Sequence, residues 1–410
     1  MRLIKKIILS PTVLVLFDQA LFSGTNFLLT LFLAQKLDIK NFGLFSTVVL
    51  VTYLVMSITN ALIIQPFQVS ISRISNRKEY FVYLFYALLF ILTLFIVIVK
   101  TLVFFLPIEN VFTFQSNAII CFIVGYLIQD FFRKIFLALS NIVTVICIDL
   151  VFLVLIAVAF YSIANEITLF NSLMILGLAN SVSAIPGLYF IIVNYETPIS
   201  WKLFQQDHFA QGKWLFSVAV LQWCSSNFFV LISGVYLGIE ALGALRLVQS
   251  FFGILNIVLQ TVENYFLPKV AGLYNSSLAE AKKYLVELTV YGALLFGILL
   301  SILFVFSNEI IVVAGGHKYE SYGYVVKIIS VLYFFIFLSY PVRIAIRVLV
   351  LNKIFFIGYL LAFVSSLLTF HFLLKYSGLY GAVVGLIINQ IIMLFYWQDK
   401  LRKNLNLVWK

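Results

Sequence analysis

Apolar runs long enough to cross a bilayer recur along this 410-residue chain, and the short segments between them carry Lys and Arg on alternate sides. The runs cover residues 12–34, 42–64, 81–104, 116–135, 143–163, 170–193, 214–237, 246–267, 284–306, 324–345, 354–374 and 379–398. Each is near the roughly 20 residues that a helix needs to cross ~30 Å of hydrocarbon. The N-terminal segment (Arg2, Lys5, Lys6), the even-numbered connections and the C-terminal tail hold 20 of the 27 basic residues. The other side holds Lys36, Lys40, Lys100, Arg246, Lys318, Lys327 and Lys375. Cytoplasmic loops carry the Lys/Arg excess, so the pattern predicts twelve spans with both termini in the cytoplasm. One missed span would scramble the alternation, which therefore supports the count as well as the orientation.

Composition agrees: 63% of residues are hydrophobic and 10% charged. A soluble core of this size needs far less apolar surface, so the fold class is an all-α polytopic membrane protein. A β-barrel is excluded because the runs exceed 18 residues and do not alternate with period two. The formal charge of +11 does not indicate nucleic acid. The basic residues are spread over the cytoplasmic segments as topology determinants and form no single basic face. Cys121, Cys147 and Cys224 fall inside spans and read as small buried hydrophobes. His208, His317 and His371 are far apart in sequence, so no metal site is expected. The opening Met1–Lys6 followed by an apolar run is signal-like, but that run continues to about Ala34, and it is read as an uncleaved first span.

The two halves show internal similarity. Thr25-Asn26-Phe27, Leu37-Asp38-Ile39 and Gly43 recur as Ser226-Asn227-Phe228, Leu237-Gly238-Ile239 and Gly243, at an offset of 200 to 201 residues. A six-helix unit repeated once returns the chain to the same side, giving parallel halves related by an axis along the membrane normal. The expected lobes are residues 1–200 and 201–410, joined by the basic connection from Asn194 to Lys213. Pro186 and Pro341 lie within spans, either as tolerated kinks or as bends shaping a cavity.

Ionisable side chains inside the membrane are costly and mark function by default. In the eighth span, Arg246, Gln249, Ser250, Gly253, Asn256, Gln260, Glu263 and Asn264 recur at three- and four-residue steps. At 100° per residue they occupy an arc of about 140°. Such a stripe faces protein or water. It either holds helices together by hydrogen bonds or lines a water-filled lumen, and its full-helix length favours the lumen. Gln222 in the seventh span and Asn26 in the first lie on similar polar faces. Asp18 lies about 9 Å along the first helix from its inner end. It is read either as a proton or cation site in the lumen, and so an ion-coupling candidate, or as a partner for a neighbouring Arg or Lys. Arg133 and Arg343 sit at the inner ends of the fourth helix of each half, and are read either as helix flanks reaching for water or as the place where an anionic headgroup would enter. Arg suits phosphate because its planar fork binds bidentately and stays charged. Asp149, at the inner end of the fifth span, could pair with the Arg133 group.

No phosphate loop, metalloprotease motif or nucleophile–base set is present in the sequence. The chain is therefore expected not to be an enzyme and to need no cofactor. Several stretches resemble polysaccharide-biosynthesis flippases of the Wzx type, in the superfamily that also holds MATE multidrug exporters and lipid II flippases (MATE/MOP). They are Phe17-Asp18-Gln19-Ala20-Leu21-Phe22-Ser23-Gly24-Thr25-Asn26-Phe27, Gln129-Asp130-Phe131-Phe132-Arg133-Lys134, Gly212-Lys213-Trp214, the run from Gly238 to Arg246, and Gly378-Leu379-Tyr380-Gly381-Ala382. The resemblance spans nearly the whole chain. It implies a V-shaped pair of six-helix lobes in a bacterial inner membrane. It also implies alternating-access export of a polyprenyl-pyrophosphate-linked oligosaccharide for O-antigen, capsule or exopolysaccharide. The implied partners are the lipid-linked glycan, the bilayer, and a glycan polymerase with glycosyltransferases; the chain is expected to act as a monomer. Asp18 and Glu263 depart from a uniformly cationic lumen. A cation-coupled multidrug or metabolite antiporter on the same fold is the competing expectation.

Overall fold

The computed structural model describes residues 11–71, 77–105, 110–163, 166–196, 208 and 210–405. They are helical almost throughout, with no strand among them. The elements are α1 (Pro11–Lys36), α2 (Ile39–Thr59), a π-helical turn (Asn60–Ile64), α3 (Gln65–Ser70), α4 (Arg77–Phe105), α5 (Asn110–Ala138), α6 (Ile142–Ser162), α7 (Leu169–Ser183) and α8 (Ile185–Val193). After the connection come α9 (Ala210–Leu237), α10 (Ile239–Ser276), α11 (Leu278–Val305), α12 (Ser307–Gly315), a 3-10 turn (His317–Tyr322), α13 (Gly323–Val348) and α14 (Asn352–Leu405).

Among the described residues, ten helical stretches are long and apolar enough to cross a membrane. The 29-residue α5 carries Asp130, Arg133 and Lys134 in its C-terminal half, and α14 is two helices merged across non-helical Gly378. Counting both brings the number to the twelve that the sequence predicts. The sixth span is interrupted: Ala184 closes α7 and Pro186 opens α8. Pro341 sits inside an unbroken α13. The eighth span is far longer than its apolar part, running 38 residues from Gly238 at its N-cap to Ser277. Cys147 is exposed rather than buried, as a helix face that lipid covers allows, since hydrocarbon chains are as apolar as a protein core.

The chain forms two compact units. Unit 1 is Met1–Leu28 with Val48–Val220, and unit 2 is Leu29–Thr47 with Leu221–Lys410. This division differs from a simple cut at residue 200 in two places. The C-terminal end of α1 and the N-terminal end of α2 belong to unit 2, and the first eleven residues of α9 belong to unit 1. The first exchange has a clear cause. Lys318 Nζ donates to the carbonyls of Gln35 (3.0 Å) and Leu37, and Gln35 Nε2 donates to Val313 O at 2.9 Å. A cation thus satisfies carbonyls that the end of α1 leaves without donors.

Inside unit 2, α2 and α10 cross where Gly43 meets Gly243. A Cβ on Gly43 would strike the Ile239 carbonyl, and one on Gly243 would lie 2.9 Å from Gly43 Cα and 3.3 Å from the Ile39 carbonyl. Residues 39 and 43 therefore touch 243 and 239 reciprocally, at the 200-residue offset seen in the sequence. The repeat is visible as a local two-fold contact. Inside unit 1, α5 and α7 make the most extensive contact, and they approach closely because Gly125 and Gly177 face each other's backbones. The ring of Phe132 fills the space beside Gly187. That packing fixes the C-terminal part of α5, where Arg133 follows.

Candidate functional site

Unit 1 holds a buried charge cluster drawn from three helices. Asp18 and Phe22 are one turn apart on α1, so the carboxylate and the ring share one face. Arg133 on α5 reaches between them, with its guanidinium carbon 3.8 Å from the Phe22 ring centroid. Its Nη2 donates to Asp18 Oδ2 at 3.1 Å. Its Nε lies 2.7 Å from Asp149 Oδ1 on α6, an ion-pair contact off the hydrogen-bond angle. Asp18, Arg133 and Asp149 are 2%, 5% and 3% exposed. Charges so deep need partners, because desolvation costs several kcal/mol per ion.

The partners do not balance. Two carboxylates share one guanidinium, and the carboxyl groups are close enough to act on each other's charge. Among the described residues, Asp18 Oδ1, Asp149 Oδ2 and the buried Nε2 of Gln129 have no hydrogen-bond partner. Gln129 lies one turn before Arg133 on the same helix. Buried polar atoms left open beside surplus negative charge form a place that a proton or small cation would complete. Asp130 does not pair with Arg133 one turn on. It accepts from Lys134 at 2.6 Å, and Lys134 also donates to Asn60 Oδ1 at 2.8 Å.

Unit 2 carries the opposite imbalance. Arg347 Nη1 contacts buried Glu263 Oε1 at 2.7 Å. One turn earlier on α13, Arg343 lies over Tyr340 with its guanidinium carbon 4.7 Å from the ring centroid, and 5.9 Å from that of Phe355. Its buried Nε has no acceptor among the described residues. Two arginines to one carboxylate give a site suited to an anion. Nearby, Gln222 Nε2 donates to Tyr359 Oη at 3.4 Å, and Trp397 stacks on Phe355 with centroids 5.1 Å apart.

The remaining predicted site residues are placed as follows. Asn26 donates to its own helix at Phe22 O, 2.9 Å. Arg246 Nη1 donates to Gln249 Oε1 at 3.2 Å, and Asn256 Nδ2 to Tyr333 Oη at 2.9 Å. Gln260 is exposed. The side chain of Asn264 lies outside the described residues, as do Arg2, Lys5, Lys6 and Lys202. The eighth-span stripe is therefore not uniform: Asn256 and Glu263 bond within unit 2, while Gln260 stays open. Of the two arginines expected at a headgroup entrance, Arg133 lies among Asp18, Asp149 and the Phe22 ring, and Arg343 Nε has no acceptor among the described residues.

Sequence reasoning named Asp18, Arg133 and Asp149 without assembling them as one cluster. It missed the role of Phe22, whose i+4 spacing from Asp18 was the available signal. It also missed the π turn before Pro66.

No protein-family model matches the chain, and no curated protein sequence matches it. Solved structures do. An inward-facing multidrug resistance MATE family transporter of the MOP superfamily aligns with a TM-score of 0.68 and 11% identity, covering 94% of this chain and 96% of that one. The chain has the MATE/MOP transporter fold. The lipid II flippase MurJ in an inward closed conformation aligns with a TM-score of 0.66 and 13% identity, covering 96% of this chain and 87% of that one. A mutant of the Vibrio cholerae MATE transporter VcmN aligns at 0.63 and 12% identity, with 97% of each chain covered. A multidrug resistance transporter and a lipid II flippase are thus nearly equally similar to this chain in fold.

Proposed function

We propose that this chain is a flippase of a bacterial inner membrane. It moves polyprenyl-pyrophosphate-linked oligosaccharide repeat units outward by alternating access, with both termini in the cytoplasm. The observation that carries this reading is the opposite charge imbalance of the two inner clusters. Arg343, with Arg347 and Glu263 beside it, offers a cationic, aromatic-walled place for a pyrophosphate. Asp18, Asp149 and Arg133 offer a negative place for a coupling proton or cation. Gln222, Gln249, Gln260, Arg246 and Asn26 supply half-buried or open polar groups for sugars along the path. The MurJ likeness and the sequence motifs support the lipid-linked substrate.

Moving two net negative charges outward down an inside-negative potential of 100 mV would release about 4.6 kcal/mol, at ~2.3 kcal/mol per charge. The membrane potential therefore favours export, and a counter-moving cation through the Asp18 cluster would add to it.

The test is a deletion strain. Undecaprenyl-linked repeat units should accumulate on the cytoplasmic face and clear on complementation; without accumulation the reading fails. The second reading, a cation-coupled drug or metabolite antiporter, is favoured by the surplus carboxylate of unit 1. Drug susceptibility that changes on deletion without any change in surface glycan would select it.

A further inference from the structure

One buried histidine belongs to neither charge cluster. Pro66 lies one residue into α3, just after the π turn. A proline has no N–H, and its ring crowds the carbonyl four residues earlier. That carbonyl is Leu62 O, in the π turn, and Pro66 cannot donate to it in the α-helical register. A buried carbonyl without a donor costs about 1–3 kcal/mol.

His208, in the connection between the two repeats, supplies the missing donor. It is 1% exposed, and its Nε2 lies 2.6 Å from Leu62 O. A carbonyl only accepts, so Nε2 carries the proton. Nδ1 then accepts from Tyr80 Oη at 2.7 Å. Both ring nitrogens are satisfied by a neutral imidazole. The ring also packs on Tyr80 at a 5.8 Å centroid distance, and Tyr80 in turn packs on Phe67 at 6.1 Å. Two residues beyond His208, α9 begins. A Cβ on its Gly212 would lie 3.8 Å from both Leu62 Cα and Leu62 O. The start of α9 therefore rests on the same turn of backbone.

We propose that His208 is an anchor: it caps the carbonyl orphaned by Pro66 and thereby fixes the start of α9 to unit 1. Ala210–Val220 then behave as part of unit 1, and α9 changes allegiance in its interior, at Val220–Leu221. The inference does not depend on the transported substrate.

The ionisable groups on the surrounding elements are Lys78, Glu79 and Tyr80 on α4, Asp130 and Lys134 on α5, and exposed Lys213 on α9. Lys78 pairs with Glu196 at 3.8 Å and Lys134 with Asp130. The π turn and α3 carry none. Burial holds the imidazole down at about 4, so it stays neutral at cytoplasmic pH.

The experiment is amide hydrogen exchange on the full-length protein in nanodiscs. His208→Ala should raise exchange across Ala210–Val220 by about tenfold, the effect of losing a bond worth ~1.4 kcal/mol, and leave Leu221–Leu237 unchanged. His208→Gln, whose amide can donate to Leu62 O, should stay near wild type. Pro66→Ala restores a backbone donor for Leu62 O and competes with His208. It should loosen Ala210–Val220 by itself, and adding His208→Ala should then change little. Unchanged exchange in His208→Ala, or additive effects of the two substitutions, would overturn the proposal. If His208→Ala does not fold, Pro66→Ala with His208 intact decides alone: protection of Ala210–Val220 equal to wild type refutes the anchor.

Discussion

Replacing Arg133 with Ala leaves Asp18 and Asp149 buried, 2% and 3% exposed, with no cation between them. Breaking a buried ion pair by removing one partner costs about 3–5 kcal/mol, because the remaining charge is uncompensated. Here two charges are left, and loss of the Phe22–guanidinium contact at 3.8 Å adds to the cost. Asp149→Asn makes a different case. It leaves Asp18 and Arg133 as a one-to-one pair and should cost much less, at most about 1–2 kcal/mol for the altered hydrogen bonding. The triple variant Arg133→Ala, Asp18→Asn, Asp149→Asn removes the charge conflict and should recover part of the Arg133→Ala loss. Thermal unfolding of the purified protein in detergent at pH 6 and pH 8.5 measures all three. Equal stability of Arg133→Ala and Asp149→Asn at pH 8.5 would refute the reasoning, since it would mean that the guanidinium does not hold the carboxylates.

His208 titrates at about 4 in the fold against an ordinary 6.5. A depressed histidine binds protons more readily unfolded, so its contribution is intact above pH 6.5 and is lost as pH falls toward 4. The loss approaches ~3 kcal/mol at ~1.36 kcal/mol per unit, and acid unfolding of His208→Gln should show a shallower slope across that window. Gly43→Leu and Gly243→Leu should each disrupt the α2–α10 crossing and lower the yield of folded protein in size-exclusion chromatography, whereas Gly253→Ala, where a Cβ meets nothing within 4 Å, should not. Arg343→Ala should lower glycan export more than Lys134→Ala does, and Arg343→Lys should restore it incompletely because a point charge lacks the planar fork. Combined Arg246→Ala, Gln260→Ala and Glu263→Ala should reduce surface glycan; an unchanged level removes the eighth-span stripe from the path.

The membrane class, the twelve spans and the internal repeat were all legible in the sequence. Hydrocarbon thickness and the Lys/Arg bias act on composition alone and need no tertiary information. Gly43 and Gly243 are the clearest case: an offset visible in the text became a reciprocal backbone contact. The charge cluster was legible only in part. Asp18 and Arg133 each stood out as costly, but their pairing with Asp149 depends on how α1, α5 and α6 pack, and Gly125–Gly177 and Phe132–Gly187 decide that. In sequence Arg133 reads as a headgroup entrance or a water-reaching flank, yet its guanidinium lies among Asp18, Asp149 and Phe22, while Lys134 pairs with Asp130 and Asn60. The 38-residue α10 and the helical stretch Ser307–Gly315 were hidden because hydropathy marks only the part of a helix that meets hydrocarbon. Pro66 was visible, but finding the donor for Leu62 O required a histidine 146 residues away.

The central claim is outward movement of a lipid-linked anionic glycan driven partly by potential. Its most direct test is flipping of a fluorescent polyprenyl-pyrophosphate oligosaccharide in proteoliposomes with an imposed potential, negative on the side that models the cytoplasm. The account predicts protein-dependent transfer that accelerates with potential, falls in Arg343→Ala, and loses its response to a proton or cation gradient in Asp18→Asn. Transfer no faster than in protein-free liposomes, with a cationic drug moved instead, would contradict it.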